Sequence, residues 1–200
     1  LHVKISETAL ENQHFRDNMS STDMKTMFFE NQIETLHLYG MATTKYHMVE
    51  NGLLKGRNEA SGDTIQVNFV EDKLDRIQVF GGGRGTFFPE KNNTEVDTTV
   101  IYQAEYIDYH LNTRHTFLET NAMVDYQGTN LSSGYITADW DTNILEVHPR
   151  EGNNPVVDTN DSEPLYGGFM EFNLITRHGR VVKGKTGFND GLYYGNEIFR

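Results

Sequence analysis

An all-β fold, a sandwich or jelly roll of antiparallel hairpins, is what this 200-residue sequence predicts. Three observations carry the prediction. Apolar and polar residues alternate over many short stretches, and a period of two puts successive side chains on opposite faces of a half-buried strand. The composition suits β structure, with 10 Tyr, 12 Phe and only 4 Pro, and with Gly and Asn recurring between the alternating stretches. Finally, one strand-turn-strand unit recurs four times along the chain.

Taken in order, His2-Val3-Lys4-Ile5 reads as an opening strand. Residues 11 to 25 are polar and without a clear period, and read as a long loop or weakly ordered arm. Residues 1–32 are therefore expected to be an N-terminal arm, or an opening strand with a loop, ahead of a β domain spanning 33–200. Alternation sharpens from Thr26, running through residues 33 to 42 and 43 to 48, and Glu50-Asn51-Gly52 follows as a hairpin signal, because Asn and Gly both tolerate positive φ.

The first repeat is Ile65/Val67/Phe69, a turn at Glu71-Asp72-Lys73, and a return from Leu74 to Phe80. The run Gly81 to Gly85 interrupts it, and residues 90 to 98 form a polar loop. The second and third repeats are Ile107/Tyr109/Leu111 and Ile136/Ala138/Trp140. A long connection from Pro149 to Gly168 holds three of the four prolines, and the fourth repeat is Met170/Phe172/Leu174. The chain ends in another alternating stretch, Gly191 to Phe199. Opposite parities carry Gln66/Asn68, Asp108/His110, Thr137/Asp139 and Glu171/Asn173, so each strand has one apolar and one wet face. The triplets begin at 65, 107, 136 and 170, spacings too irregular for a solenoid or propeller. They fit a folded-over stack of hairpins with loops of variable length at the rim, two such faces enclosing an apolar interior.

Composition excludes several functions. A net charge of −12 opposes general nucleic-acid binding, which needs cations to replace counterions on phosphates. The absence of Cys removes disulfides, thiolate metal sites and a thiol nucleophile. No apolar run is long enough for a helical membrane span. A chain opening at Leu1 without a signal-like segment reads as a mature or trimmed product.

Each chemical motif has a plainer reading. Gly81 to Gly85 lacks the Lys and Ser or Thr of a phosphate loop and precedes Thr86-Phe87-Phe88-Pro89, so a glycine bulge or sharp strand bend is expected. Arg177-His178-Gly179 resembles part of a histidine-phosphatase motif, but its second Arg comes one residue early; an exposed turn is expected. Asp139, Asp141 and Asn143 begin like a Ca²⁺ loop without its Gly or distal Glu, and read as the turn itself. Asp139 with Asp125 or Glu171, beside a sugar-stacking Trp140, is the only glycoside hydrolase or lyase constellation. The eight His form no close pair of ligands. No catalytic residue, metal or cofactor is expected. What remains is the apolar stripe of the four triplets, either an ordinary filled sandwich core or a lumen for a long apolar ligand.

The repeated unit resembles the OstA-like family of lipopolysaccharide-transport and assembly proteins: the periplasmic jelly-roll bridge components and the periplasmic domain of the outer-membrane lipopolysaccharide assembly protein. The phrases that carry the resemblance are residues 36–42, 104–109, 122–126 with Leu131, 136–145 and 170–174, within a match covering about 33 to 200. Gly81 to Gly85 and the 149 to 168 connection fall outside the shared pattern. The resemblance implies an open antiparallel β-jelly roll (a β-taco), non-catalytic, periplasmic and associated with the outer membrane. Its interior, the twelve triplet residues, would take the acyl chains of lipid A while the sugars stay outside. It also implies partners: other jelly-roll components joined end to end through edge strands, and an outer-membrane barrel in the same or a partner chain. A chain that begins and ends in strand-like sequence agrees with a piece of a longer array. The alternative is a secreted β-sandwich module with a filled core.

Overall fold

The computed structural model describes residues 1–200 apart from 11, 12, 51, 72, 92, 94, 95, 151, 160, 161, 189, 190 and 200. Among the described residues the elements are all strands: β1 (His2–Leu10), β2 (Gln13–Ser20), β3 (Asp23–Phe29), β4 (Gln32–Glu50), β5 (Leu53–Val70), β6 (Lys73–Pro89), β7 (Val100–His110), β8 (His115–Tyr126), β9 (Thr129–Asp139), β10 (Ile144–His148), β11 (Val156–Thr159), β12 (Ser162–Tyr166), β13 (Phe169–Asn173), β14 (Gly179–Phe188) and β15 (Gly191–Phe199). They join one sheet ordered β1-β2-β4-β5-β6-β7-β8-β9-β10-β13-β14-β12-β11. β3 is added to β4, β15 to β14, and β9 also pairs with β11.

Strands of 17 to 19 residues such as β4, β5 and β6 do not stay flat. The pairing registers locate the fold line. Between Tyr39/Thr64 and Ala42/Gly62, β4 has Gly40 and Met41 against the single Asp63 of β5. On β6, Gly81 and Gly82 stand against the single Glu105 of β7. On β8, Thr120 and Asn121 stand against the single Gly134 of β9. All six residues on the bulged strands have positive φ, from 48° at Met41 to 77° at Gly81. These bulges line up across adjacent strands as a crease, each increasing local bend. The glycine bulge expected at Gly81 is therefore one member of a row.

The crease divides the sheet into two leaves. A straight strand would separate Tyr102 and Tyr109 by roughly 23 Å, yet their ring centroids lie 6.0 Å apart, because β7 doubles back between Gln103 and Tyr106. The first leaf turns large aliphatic side chains inward, among them Leu38, Ile65, Val79, Ile107, Ile136 and Val147, all fully buried. Beside the crease the second leaf turns in Ala42, Ala60, Ala104 and Ala122. A Cβ at Gly83 would sit 2.8 Å from Ile107 Cδ1, so the small residues let the leaves approach closely there. This is an all-β open jelly roll.

The four sequence repeats are four neighbouring hairpins of the first leaf: β5–β6, β7–β8, β9–β10 and β13–β14. Their uneven spacing arises because each connection between them passes through the second leaf by a different route. The turns expected at Glu50-Asn51-Gly52 and Glu71-Asp72-Lys73 include Asn51 and Asp72, which lie outside the described residues. Their strands pair up to Glu50/Leu53 and Val70/Lys73.

Two expectations are corrected. Residues 13–20 and 23–25, read as a polar loop or arm, belong to strands β2 and β3 of the same sheet. β3 exposes all but one of its residues, so it has no buried parity for the sequence to display. β2 hides its parity differently: Asp17 is buried beside Met19 and accepts hydrogen bonds from the His47 backbone NH (2.8 Å), with the His47 Nδ1 at 2.9 Å. The opening strand expected at residues 2–5 is present within β1. The 149 to 168 connection likewise contains β11 and β12, too short for alternation to register, paired to β9 and β14.

The outer face of the first leaf is the wet side. Arg76 donates from Nε to Asp108 Oδ1 (2.7 Å), and His110 lies 3.1 Å from the same carboxylate. Arg150 pairs with Glu119, and Arg180 with Glu171 and Glu197. Burial opposes the charge on Asp108, but the hydrogen bonds from Arg76 and His110 outweigh it and hold its pKa below the usual carboxylate value.

Candidate functional site

All twelve residues of the predicted stripe face the interior. Ile65, Val67, Ile107, Tyr109, Ile136, Ala138, Met170 and Leu174 are buried, and Phe69, Leu111, Trp140 and Phe172 are half-buried against them. The stripe runs from the crease toward the hairpin tips, since three of those four half-buried residues end their triplets. At the tips the leaves part along a seam opposite the crease.

Two cavities open on that seam. The first, about 160 Å³, has Met48, Phe87 and Tyr102 from the second leaf facing Tyr109, Leu111 and Trp140 from the first. The second, about 240 Å³, has Leu131, Val157 and Leu165 facing Met170, Phe172 and Val181. Between the ends of the stripe the interior is packed. A further depression of about 370 Å³, lined by residues such as Asn18, Lys45 and Arg84, contains no stripe residue.

The apolar interior carries a short polar relay. Tyr109 Oη donates to Tyr102 Oη (2.7 Å), and Tyr102 Oη donates to Asn58 Oδ1 (2.5 Å). Burial pushes both phenols above their ordinary pKa, so they remain neutral. The Trp140 indole donates to Thr116 Oγ1 (2.9 Å), and its ring meets Phe87 across the leaves at 6.4 Å. These bonds satisfy polar atoms that a dry lumen would otherwise leave unpaired.

The described residues that follow β6, namely 90, 91, 93 and 96–99, lie as a strap across the seam. Val96 is buried in the core and lines the first cavity. Asn93 Nδ2 donates to the Lys55 carbonyl (2.9 Å), and its Oδ1 accepts from Val96 N (3.1 Å). Asp97 then accepts from Tyr126 Oη (3.0 Å), Gln127 Nε2 (2.8 Å) and, from the first leaf, Arg177 Nη2 (3.2 Å). The Tyr126 hydrogen bond is the largest cause of a lowered Asp97 pKa. Tyr126, Gln127 and Arg177 line the second cavity, so this latch stands between the two openings.

The remaining motifs take their plainer readings. Asp139 Oδ1 accepts from Asp141 N (2.9 Å) and Thr142 N (3.3 Å), closing its own turn. Glu171 is held by Arg180 at 2.8 Å. Among the described residues no group of three or more His, Asp or Glu is placed to hold a metal ion. Arg177 and His178 lie exposed in the β13–β14 connection, with Arg177 at φ 62°, and Gly179 opens β14. Sequence reading missed the second leaf's share of the lumen. Tyr126 and Leu131 stand between polar neighbours, while Phe87 and Tyr102 each have an apolar residue on one side; only the crease reveals that all four face the stripe. The strap carried no signal beyond Val96 amid polar residues.

No protein-family model matches the sequence, and no curated protein matches it. Among solved structures, the fold is similar to that of LptH from Pseudomonas aeruginosa, described as the LptA-homologous periplasmic component of the lipopolysaccharide transport device. The TM-score is 0.55 at 12% sequence identity, covering 73% of this chain and 94% of that one. The likeness is one of fold, and it is the jelly roll that the sequence resemblance implied.

Proposed function

We propose that this protein carries lipopolysaccharide across the periplasm toward the outer membrane, holding the acyl chains between its leaves without chemistry. The observation that supports this is the apolar stripe, buried along its length yet reaching a seam with two openings, in a fold shared with a periplasmic lipopolysaccharide-transport component. A dozen buried methylenes contribute roughly 10 kcal/mol before binding costs. Partners are further jelly-roll components added at the terminal strands: β1 and β3 at one end and β15 at the other each pair on one side. An outer-membrane barrel, in the same or a partner chain, would receive the cargo.

A filled-core binding or structural module is the second reading. It is favoured by cavity size: 160 and 240 Å³ lie below the ~300 Å³ at which small-molecule sites begin. The transport reading therefore requires the leaves to part when a chain enters. Photo-cross-linking separates the two. A benzophenone side chain at Leu111 or Phe172, inside, is expected to capture lipopolysaccharide, and one at Phe117, on the outer face, to capture none. Equal yields inside and outside, or no capture anywhere, would leave the filled core standing.

A further inference from the structure

We infer that the outer face of the first leaf is a docking platform for an uncharged, unbranched glycan chain laid across the strands. It lies on the side of the sheet away from the apolar interior and does not depend on the acyl-chain reading above. Two rows of outward side chains cross the same strands in register. The row nearer the crease is aromatic. Phe80 of β6 pairs with Tyr106 of β7, Tyr106 with Glu119 of β8, Glu119 with Tyr135 of β9, and Tyr135 with His148 of β10. Ring centroids lie 4.9 Å apart for Phe80 and Tyr106, 5.7 Å for Tyr135 and His148, and 5.0 Å for His148 and Phe169 of β13. The gap at Glu119 is bridged by Arg150, whose guanidinium pairs with that carboxylate at 2.6 Å and lies over the Tyr135 ring, 5.5 Å from its centroid. Six strands at a spacing of about 4.8 Å give the row a length of roughly 24 Å.

Two residues nearer the hairpin tips runs a hydrogen-bonding row, Gln78, Asp108, Thr137, Glu146 and Glu171, in register and interrupted only by Phe117. Phe117 lies within 17° of the Tyr135 plane, 6.5 Å away, and widens the apolar floor. Hydrogen bonds tie one row to the other: Gln78 Nε2 donates to Tyr106 Oη, which donates to Asp108 Oδ2 (3.1 Å), and His148 Nε2 lies 3.2 Å from Glu146. Cross-strand ring pairs also stabilise a sheet, yet none of these rings is buried, and Phe80 is 38% exposed. A pyranose has the matching pattern. Its apolar C–H face lies on the electron-rich face of an aromatic ring, and the hydroxyls at its edge donate and accept as the polar row requires. An apolar protein surface docked here would leave that row unpaired, at a cost in desolvation. Charge narrows the class further. Arg76 is paired with Asp108, Arg150 with Glu119 and Arg180 with Glu171, so these arginines are committed to carboxylates. With a net charge of −12 the chain repels an anionic polymer, and an uncharged one is left.

The test is a calorimetric titration of the whole chain with lipid-free hexasaccharides of β-1,4-linked glucose and of β-1,4-linked N-acetylglucosamine, with the corresponding disaccharides, and with heparin as an anionic chain. At least one hexasaccharide is expected to bind, and more tightly than its disaccharide, because the row spans several sugar rings. Tyr135→Leu and Phe169→Leu keep apolar bulk without a π face, and each should weaken binding about tenfold, the upper scale of one aromatic contact. Tyr135→Phe should retain it. Thr137→Val, which removes a hydroxyl from the polar row and touches no ring of the aromatic row, should also weaken binding, and it serves if the urea midpoint shows that a ring substitution unsettles the sheet. Binding of neither hexasaccharide, or unchanged affinity in both Tyr135→Leu and Thr137→Val, overturns the platform and leaves the rings as cross-strand packing alone. A disaccharide bound as tightly as its hexasaccharide overturns the extended row. Tighter binding of heparin than of either neutral chain overturns the uncharged class. None of these outcomes bears on the acyl-chain reading, which concerns the opposite face.

Discussion

Along the crease the two leaves are joined by continuous backbone; along the seam they meet through side chains. At the crease, paired positive-φ residues on β4, β6 and β8 set the bend, and Ala and Gly on the inner face allow close approach. At the seam, contact is made by an exposed Arg177–Asp97 pair, by Phe87 against Trp140, and by a strap carrying Val96. Backbone bends cannot be undone without unfolding, whereas exposed ion pairs contribute little and exchange readily with water. The difference teaches that this interior has a hinge side and an opening side. On the proposed transport reading, a long chain would enter laterally by parting the hairpin tips, with the crease keeping the leaves in register.

The strongest way to break the comparison is at the hinge. Gly81→Val with Gly82→Val places two β-branched residues at φ 77° and 66°, and a Cβ at position 81 would also stand 2.5 Å from Asp63 Oδ2. Each left-handed residue costs about 1–2 kcal/mol before any clash. The pair is expected to lower stability by roughly 3 kcal/mol or more, read as the urea midpoint with unchanged slope. A negligible shift would mean that the crease does not depend on these conformations.

A smaller effect is expected on the outer face of the first leaf. Asp108 has a pKa depressed below its unfolded value. Its contribution is therefore fully present above the unfolded value of about 4 and is lost as pH falls through the folded value. Asp108→Asn should lower stability at neutral pH and flatten the acid limb of the stability curve, measured by urea unfolding at a series of pH values. An acid limb unaltered by the substitution would exclude this network as its source.

At the seam the effect on stability should be the smallest and the effect on access the largest. Asp97→Ala is expected to leave the urea midpoint nearly unchanged while speeding hydrogen exchange around residues 96–98 and uptake of a fluorescent acyl probe. A large fall in stability would show that the seam is structural in the same sense as the crease, and the contrast would fail.

Much of this was legible in the sequence. Alternation at Ile65/Val67, Ile107/Tyr109, Ile136/Ala138 and Met170/Phe172 set which face of each strand is apolar, because a period of two is a local property of a half-buried strand. The same logic placed Asp108 and Glu171 on the wet side. It failed at β3, which buries almost nothing, and at β2, where a buried Asp17 paired with His47 looks like surface. It also failed at β11 and β12, which are too short to show a period.

By itself, then, the sequence determined the strands of the first leaf and their inward faces, which depend on residues near one another in the chain. Tertiary structure alone decided that the bulges on β4, β6 and β8 fall in line, that Tyr102 folds back onto Tyr109, and that Asp97 meets Arg177 eighty residues away. Those contacts depend on register across many strands. A register is chosen by the packing of the whole interior, and no single stretch of chain contains it.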